Sequence, residues 1–345
     1  MSGWIRGLAA AAAFVVVAVI GILVLDFGES GAITSWAYLT LAALGVAFVV
    51  YAAVEYAQTR RLDSIAHQFD TRTIVLIPIA VALNIILGQA VAAALKIPIY
   101  LDSIGTILVG ALAGPIPGAL TGLLANTLWT FVVPPPFHSD FAAPFAVVAV
   151  VIGLLAGAFG RFEWLRPRPT ESTSRLAVGA LIAVGVIVVL AWLAYLGWGA
   201  IGENIILTPT GDTLMVILGF LALAIVIGTI VGLAGLLFIK RDLTVAYVVV
   251  AGVITGIIAA VISAPIAANL FGGVTGAGTD FLVAAFRQAG ADIQAATLGQ
   301  GLISDPIDKI ITFTAVYVIL GAMAVRTKAR FPQGERMINV EPEAT

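Results

Sequence analysis

The 345-residue chain is 61% hydrophobic and only 10% charged, whereas a soluble domain is about half apolar and about a quarter charged. This composition excludes a soluble globular protein, and the net charge of −2 identifies no partner because the charges lie in short gaps between apolar runs. The chain has no cysteine and two histidines, which exclude a thiolate metal site and argue against a histidine-rich one. The sequence therefore predicts an all-α, polytopic helical membrane protein.

About ten apolar runs have the length that a transmembrane helix needs, roughly 18 to 27 residues. The fourth run is shorter and predicts a tilted or partly re-entrant helix. The ten candidate spans are 7–25, 34–57, 74–95, 101–113, 115–133, 141–160, 176–198, 213–239, 243–264 and 308–326.

The basic residues support this count. With a cytoplasmic N-terminus, fourteen of the seventeen Lys and Arg residues lie on the cytoplasmic side. Only Lys96, Arg287 and Lys309 remain at the outer side. This distribution follows the positive-inside rule, and one miscounted span in mid-chain would destroy it. Both termini are therefore predicted to be cytoplasmic.

The basic gaps also divide the chain into segments. These are an N-terminal transmembrane hairpin at 1–57, a cytoplasmic connector at 58–73, a four-span block at 74–160, a cytoplasmic linker at 161–175, an additional hairpin at 176–239, a final pair of spans at 243–326 with a long outer loop at 265–307, and a cytoplasmic tail at 327–345.

The third span carries a stripe of small residues. Ala80, Asn84, Gly88 and Ala92 recur at every fourth position, so they share one helix face. Small residues allow a second helix to approach closely, either from this chain or from another subunit. Asn84 and the neighbouring Gln89 lie in apolar surroundings, where they either join helices by hydrogen bonds or line a site.

The stretch 97–131 holds a second stripe. After a Gly-Pro hinge, Gly114, Gly118, Gly122, Asn126 and Thr130 recur at every fourth position. This spacing predicts close helix packing at the glycine end and a polar end that avoids lipid. The polar end therefore points toward a neighbouring backbone or a ligand.

Further candidates lie at the outer ends of these spans. Tyr100 and Asp102 precede the fourth span, and Asp102 is either a solvated acid or a contact to a solute that enters from outside. Trp129 is either an interfacial anchor or a lining residue. His138 follows three prolines and is interpreted as a surface histidine.

The predicted outer loop 265–307 is rich in glycine around Asn269, Thr275 and Asp280. It is either a flexible connector or a gate over a site, because glycine hinges are common in gating loops. The segment 281–289 has helical periodicity.

The last span is predicted to open at Pro306, which suits the first turn of a helix. Asp305 would then be a capping acid. Asp308, just inside the span, either belongs to a structural network or lines a site.

No known catalytic motif is present. The sequence lacks HExxH, GxSxG, a Walker loop and paired acids within a span. We therefore expect no enzymatic activity and no ATP hydrolysis by the chain itself. The lack of a mid-membrane acid relay also argues against a proton-coupled carrier.

The stretch LDSIGTILVGALAGPIPGALTGLLAN resembles the early spans of the substrate-binding (S) components of energy-coupling factor (ECF) transporters. It has their short polar opening, apolar span, Gly-Pro hinge and glycine-striped span. TGAGTDFLVAAFRQAG followed by DPIDKIITF is similar to the end of some members. The resemblance covers 74–160 and 243–326 as a six-span core, so the other two hairpins are additions to the usual six spans.

The resemblance implies a subunit in the plasma membrane of a prokaryote that captures a small vitamin-like solute at the outer face. A transmembrane coupling subunit and two cytoplasmic ATPases would drive the uptake, with no cofactor in this chain. Similar blocks also serve as membrane-embedded ligand sensors, and a stand-alone secondary carrier is a further alternative. The sequence does not identify the solute.

The resemblance also implies roles for individual residues. The substrate-binding candidates are Tyr100, Asp102, Asn126, Trp129, Asn269, Thr275, Asp280 and Asp308. The candidates for packing on the coupling subunit are Ala80, Gly88 and Ala92.

Overall fold

The computed structural model of the chain describes residues 2–25, 32–91, 98–169, 235–239 and 241–339, together with scattered positions between 172 and 233. Every regular element in this part of the chain is helical, which confirms the all-α prediction. Five of the described helices are long and apolar enough to cross a membrane. They are Gly3–Val24, Ile33–Thr59, Thr71–Gln89, Ala143–Arg161 and Thr244–Phe271.

The helices of the N-terminal half are α1 (Ser2–Val24), α2 (Ala32–Thr59), the short α3 (Asp63–Ala66), α4 (Thr71–Gln89), α5 (Ile104–Ala113), α6 (Pro115–Phe131) and α7 (Ala146–Arg161), the last preceded by a 3-10 turn at Ala143–Phe145. After a π-helical turn at Gly235–Ile239 come α8 (Thr244–Phe271), α9 (Asp280–Gln288), α10 (Ile293–Ala322), α11 (Val325–Lys328) and a 3-10 turn at Gly334–Met337.

Helices α5 and α6 form the hinged pair that the sequence predicts. Gly114 ends α5 with φ of +125°, a conformation that favours glycine, and Pro115 opens α6 in the position where its missing N–H costs nothing. The glycine stripe of α6 then packs on α7, since a side chain at Gly153 would overlap the backbone of Gly118. The prediction of close packing at the glycine end is confirmed.

Helix α10 differs from the prediction. It begins at Ile293 behind the N-cap Asp292, whose carboxylate accepts a 2.8 Å hydrogen bond from the backbone of Ala295. Pro306 therefore lies inside the helix, and Asp305 is no cap. Pro306 packs closely on Gly256 of α8, where any side chain would overlap the proline ring.

The predicted outer loop 265–307 is consequently mostly helical. It contains the end of α8, all of α9 and the first half of α10, which leaves irregular backbone only near 272–279 and 289–292. The helical periodicity of 281–289 is confirmed by α9 (Asp280–Gln288).

Several predictions fall on residues outside the described part of the chain. These include most of the hairpin 176–239, the segment 92–97 with Ala92 and Lys96, and the tail beyond 339. The count of ten spans and the cytoplasmic position of both termini stay predictions.

Candidate functional site

A cavity of about 340 Å³ lies among α4, α6, α7, α8 and α10. Its walls come from these helices and from the segment 99–103 before α5. Two loops, 138–142 and 273–277, complete the lining. Parts of the chain that are far apart in sequence thus meet at one enclosed space.

Five of the eight predicted binding residues line this cavity. They are Tyr100, Asp102, Asn126, Trp129 and Thr275. The structure therefore brings them together, although their part in binding remains a prediction. The Asn126 amide donates a 3.0 Å hydrogen bond to the backbone carbonyl of Ala142, which fixes the loop 138–142 against α6.

The other three predicted residues do not line the cavity. Asn269 is exposed at the end of α8 and accepts a 2.7 Å hydrogen bond from Gln294. Asp280 holds the loop before α9, because its carboxylate accepts hydrogen bonds from both the backbone and the hydroxyl of Thr275 and from the backbone of Gly276, at 2.9 to 3.2 Å. Asp308 lies fully buried behind the cavity wall. Asp280 and Asp308 thus support segments that line the cavity, whereas Asn269 lies outside it.

A buried ion pair supports the segment before α5. Lys309 Nζ lies 2.6 Å from the carboxylate of Asp308 and donates a 2.8 Å hydrogen bond to the hydroxyl of Ser103. It lies 3.6 Å from Asp102, which is the more exposed of its two acidic neighbours. Lys309 itself is 3% exposed and lines the cavity.

A chain of hydrogen bonds continues from this pair along α10. Gln300 donates to Ser304 at 2.6 Å and to the hydroxyl of Tyr100 at 3.3 Å. Ser304 donates in turn to the carboxylate of Asp305 at 3.2 Å, and Ser263 of α8 donates to its other oxygen at 3.5 Å. The floor of the cavity is therefore polar and fully internal to the fold.

Sequence reasoning missed Gln300 and did not place Asp305 and Lys309 in the candidate site. The signal was present, because residues 300, 304 and 308 and residues 305 and 309 follow helical spacing. Helix α10 buries Asp305 and Asp308 one turn apart, far from its ends.

The cavity lining also has an aromatic and apolar part. The indole of Trp129 is 7% exposed, and its Nε1–H has no hydrogen-bond partner. Phe141 and Phe145 also line the cavity and pack on Phe271 with ring centroids 5.2 and 5.8 Å apart. A solute in this space would therefore meet both aromatic rings and acids.

The small-residue stripe of α4 packs within this chain. A side chain at Gly105 of α5 would overlap the backbone of Ala80, and one at Gly88 would overlap the indole of Trp129. Both Ala80 and Gly88 are buried, so they leave no surface for the coupling subunit that the resemblance implies. Asn84 likewise joins helices: it donates to Thr106 at 2.8 Å and accepts from the backbone of Gly105 at 2.7 Å.

The mouth of the cavity carries a histidine. His138 Nε2 lies 2.9 Å from the carboxylate of Asp140, and both residues line the cavity. This hydrogen bond, together with one to the carbonyl of Val133, raises the pKa of His138 above its ordinary value. Among the described residues, no group of three or more His, Asp or Glu side chains is arranged to hold a metal ion.

Comparison of the chain with protein-family models, curated proteins and solved structures finds no match. A functional assignment therefore has to rest on the residues and the geometry described above.

Proposed function

We propose that this chain is the substrate-binding membrane subunit of an energy-coupling factor importer, which captures a small vitamin-like solute for ATP-driven uptake by partner subunits. The observation that carries the proposal is the cavity of about 340 Å³, in which five residues suggested by the resemblance lie together. Pockets for small molecules begin at about 300 Å³, so the size suits a vitamin-sized solute.

The chemistry of the walls supports binding of a solute. Small-molecule sites are mostly apolar, with a few polar groups that fix the orientation of the ligand. Here Trp129 and Phe145 supply apolar surface, while Asp102, Gln300 and Asp305 supply polar groups. A space that merely separated packed helices would have no need for buried acids, which are costly unless they are paired.

The two loops at the mouth support capture and release. Gly273 and Gly276 have φ values of +81° and +75°, which glycine adopts freely. Asp280 holds this loop from one side, and Asn126 holds the other loop through Ala142. Both loops line the cavity beside these anchor points, and the glycines of the loop 273–277 suit a gate over a site.

The proposal includes a transmembrane coupling subunit, two cytoplasmic ATPases and the plasma membrane of a prokaryote. The chain itself has no phosphate-binding loop. The two small residues of α4 that suggested a docking face are buried, so a coupling subunit has to dock elsewhere.

Binding is tested by titrating the purified protein with a panel of vitamins and their precursors and following tryptophan fluorescence. Among the described residues, Trp129 is the only tryptophan that lines the cavity, so the change caused by a bound solute should disappear in Trp129→Phe. Asn126→Ala should weaken binding about tenfold, which corresponds to a loss of about 1.4 kcal/mol of binding free energy. Asn269→Ala, which changes an exposed residue outside the cavity, serves as the matched control. Equal affinity of Asn126→Ala and the parent protein would contradict the site.

One observation favours a second candidate function, a stand-alone secondary carrier. Acids and a lysine buried within a helix bundle are typical of ion-coupled carriers, and α10 holds Asp305, Asp308 and Lys309. Proteoliposomes that contain this chain alone separate the two functions. Uptake driven by a proton or sodium gradient without ATP indicates a carrier, whereas co-purification with a membrane subunit and ATPases indicates an importer.

A further inference from the structure

The acids at the cavity floor outnumber the bases. Asp102, Asp305 and Asp308 lie around Lys309, which is the only lysine or arginine that lines the cavity among the described residues. His138, at the mouth, is already bonded to Asp140. One cation among three acids leaves an excess of negative charge in the interior when all three acids are ionised.

The excess charge can be assigned to two of these acids. Asp308 is the closest partner of Lys309 at 2.6 Å and also accepts hydrogen bonds from two backbone N–H groups, so its charge is matched. Asp102 lies 3.6 Å from the same ammonium, which Asp308 already neutralises. In the described part of the chain, Asp305 has only the hydroxyls of Ser304 and Ser263 as side-chain partners.

A second and independent observation points to a ligand. The Nε1–H of Trp129 is buried and has no partner, although buried indole N–H groups normally find one. Trp129 lines the same cavity, and an acceptor atom of a bound solute would satisfy this N–H once the indole turns, because its nitrogen is closed to water in this structure. The aromatic rings of Phe141 and Phe145 lie in the same lining and favour a flat or cationic group.

We propose that the cavity takes an organic cation, with a protonated amine or quaternary ammonium group against Asp102 and Asp305 and a ring that carries a hydrogen-bond acceptor against Trp129. This inference rests on the proposed function and specifies the chemical class of its solute. The ammonium group of the solute supplies Asp102 and Asp305 with the positive charge that Lys309 does not. The aromatic residues exclude water from the ion pair between the solute and these acids. Anionic solutes are disfavoured because they would meet two uncompensated carboxylates.

The test uses three probes of one shape and different charge. At pH 7.5, 2-(pyridin-4-yl)ethylamine is a cation, 2-(pyridin-4-yl)ethanol is neutral and pyridin-4-ylacetate is an anion. Each is titrated into the purified full-length protein by equilibrium dialysis, alone and in competition with any solute identified from the vitamin panel. We expect the amine to bind at least tenfold more tightly than the alcohol and the acetate to bind most weakly.

Two variants connect the preference to the acids. Asp305→Asn should weaken binding of the amine at least tenfold and leave binding of the alcohol unchanged, because the amide keeps the size but not the charge. Asp102→Asn, at a partly exposed position, gives the same comparison if Asp305→Asn does not fold. Asp63→Asn, at an exposed acid in α3, is the matched control.

The outcomes separate this inference from the proposed function. The inference is overturned if a neutral or anionic solute binds more tightly than the amine, or if both variants bind the amine as tightly as the parent protein. Either result leaves the proposed function standing. A third outcome is that the amine binds no more tightly than the alcohol and is displaced by sodium ions or, at lower pH, by protons. The acids would then serve ion coupling, and the inference would also fail. If no panel member or probe of any charge binds, the proposed function fails with it.

Discussion

The carboxylate of Asp308 accepts a 2.8 Å hydrogen bond from the backbone N–H of Leu101, which lies 207 positions earlier in the chain. Leu101 is fully buried and has φ of +54°, a conformation that is unfavourable for a residue with a branched side chain. The same oxygen accepts a second hydrogen bond from the backbone of Tyr100 at 2.9 Å. Helix α10 therefore holds the segment before α5 in the conformation that places Tyr100 and Asp102 at the cavity.

We predict that Asp308→Ala strongly destabilises the protein. The change removes the close partner of Lys309 and the acceptor of two backbone groups, and breaking a buried ion pair costs about 3–5 kcal/mol. Thermal and denaturant unfolding of the protein in detergent measures the loss. Asp308→Asn should lose less, because its amide oxygen still accepts from the backbone.

The control for Asp308 is Asp63→Ala. Asp63 is exposed, so its removal should change the free energy of unfolding by no more than about 0.5 kcal/mol. A loss for Asp308→Ala as small as that of the control would show that the buried network does not hold the segment before α5.

A second prediction concerns Asn84, which joins α4 to α5. Asn84→Ala leaves the backbone N–H of Gly105 and the hydroxyl of Thr106 without their partner, at a cost of about 1–3 kcal/mol. A double-mutant cycle with Thr106→Val isolates the side-chain hydrogen bond, and in a membrane bundle we expect a coupling of about 0.6 kcal/mol. Additive effects of the two changes would contradict the bond.

Neither Asn84 nor Thr106 lines the cavity. The affinity for a solute identified in the vitamin panel should therefore stay unchanged in folded Asn84→Ala and Thr106→Val. A loss of affinity without a loss of stability would show that Asn84 belongs to the binding site and not only to the packing of the bundle.

A third prediction tests the close approach of α6 and α7. Gly153→Ala places a methyl group against the backbone of Gly118 and Ala119, which cannot move aside as a flexible side chain would. Overpacking of this kind costs about 1–3 kcal/mol. Gly321→Ala is the matched control, because in the described part of the chain no atom outside its own helix lies within 4 Å of the added carbon. The control should be neutral or stabilising by up to about 1 kcal/mol, the difference in helix propensity between the two residues.

The features that could be predicted from the sequence are those set by local pattern. The apolar lengths of α2, α4 and α8 are visible in their composition, and the glycine spacing of α6 indicates its packed face. Helices of this kind are specified by their own residues because a membrane span needs only length and low polarity. The five lining residues in the candidate set came from a resemblance, and the cavity brings them together.

The features that could not be predicted depend on contacts between distant residues. Pro306 looked like a helix start, but α10 continues through it and packs there on Gly256 of another helix. Asp308 looked like a lining residue, but its acceptor capacity is used by backbone groups before α5. Asn269 and Asp280 share the glycine-rich region with Thr275, yet Asn269 faces outward and Asp280 supports the loop. Spacing in the sequence alone does not distinguish a residue that lines the cavity from one that supports its structure or faces outward.

The last prediction concerns pH and the mouth of the cavity. The hydrogen bond from the His138 ring to Asp140, and then the one to the carbonyl of Val133, raises the pKa of His138 above its ordinary value of 6.5. Because the folded pKa is the higher one, the stabilising contribution of this pair is complete below pH 6.5 and is lost as the pH rises through the folded pKa. We expect Asp140→Asn to lower the pKa of His138 toward 6.5, with NMR titration of the imidazole ring as the measurement. Asp63→Asn, at an exposed acid of α3, should leave the His138 titration where it is. An unchanged pKa in Asp140→Asn would show that the carbonyl of Val133 accounts for the shift, because it is the other hydrogen-bond partner of this ring.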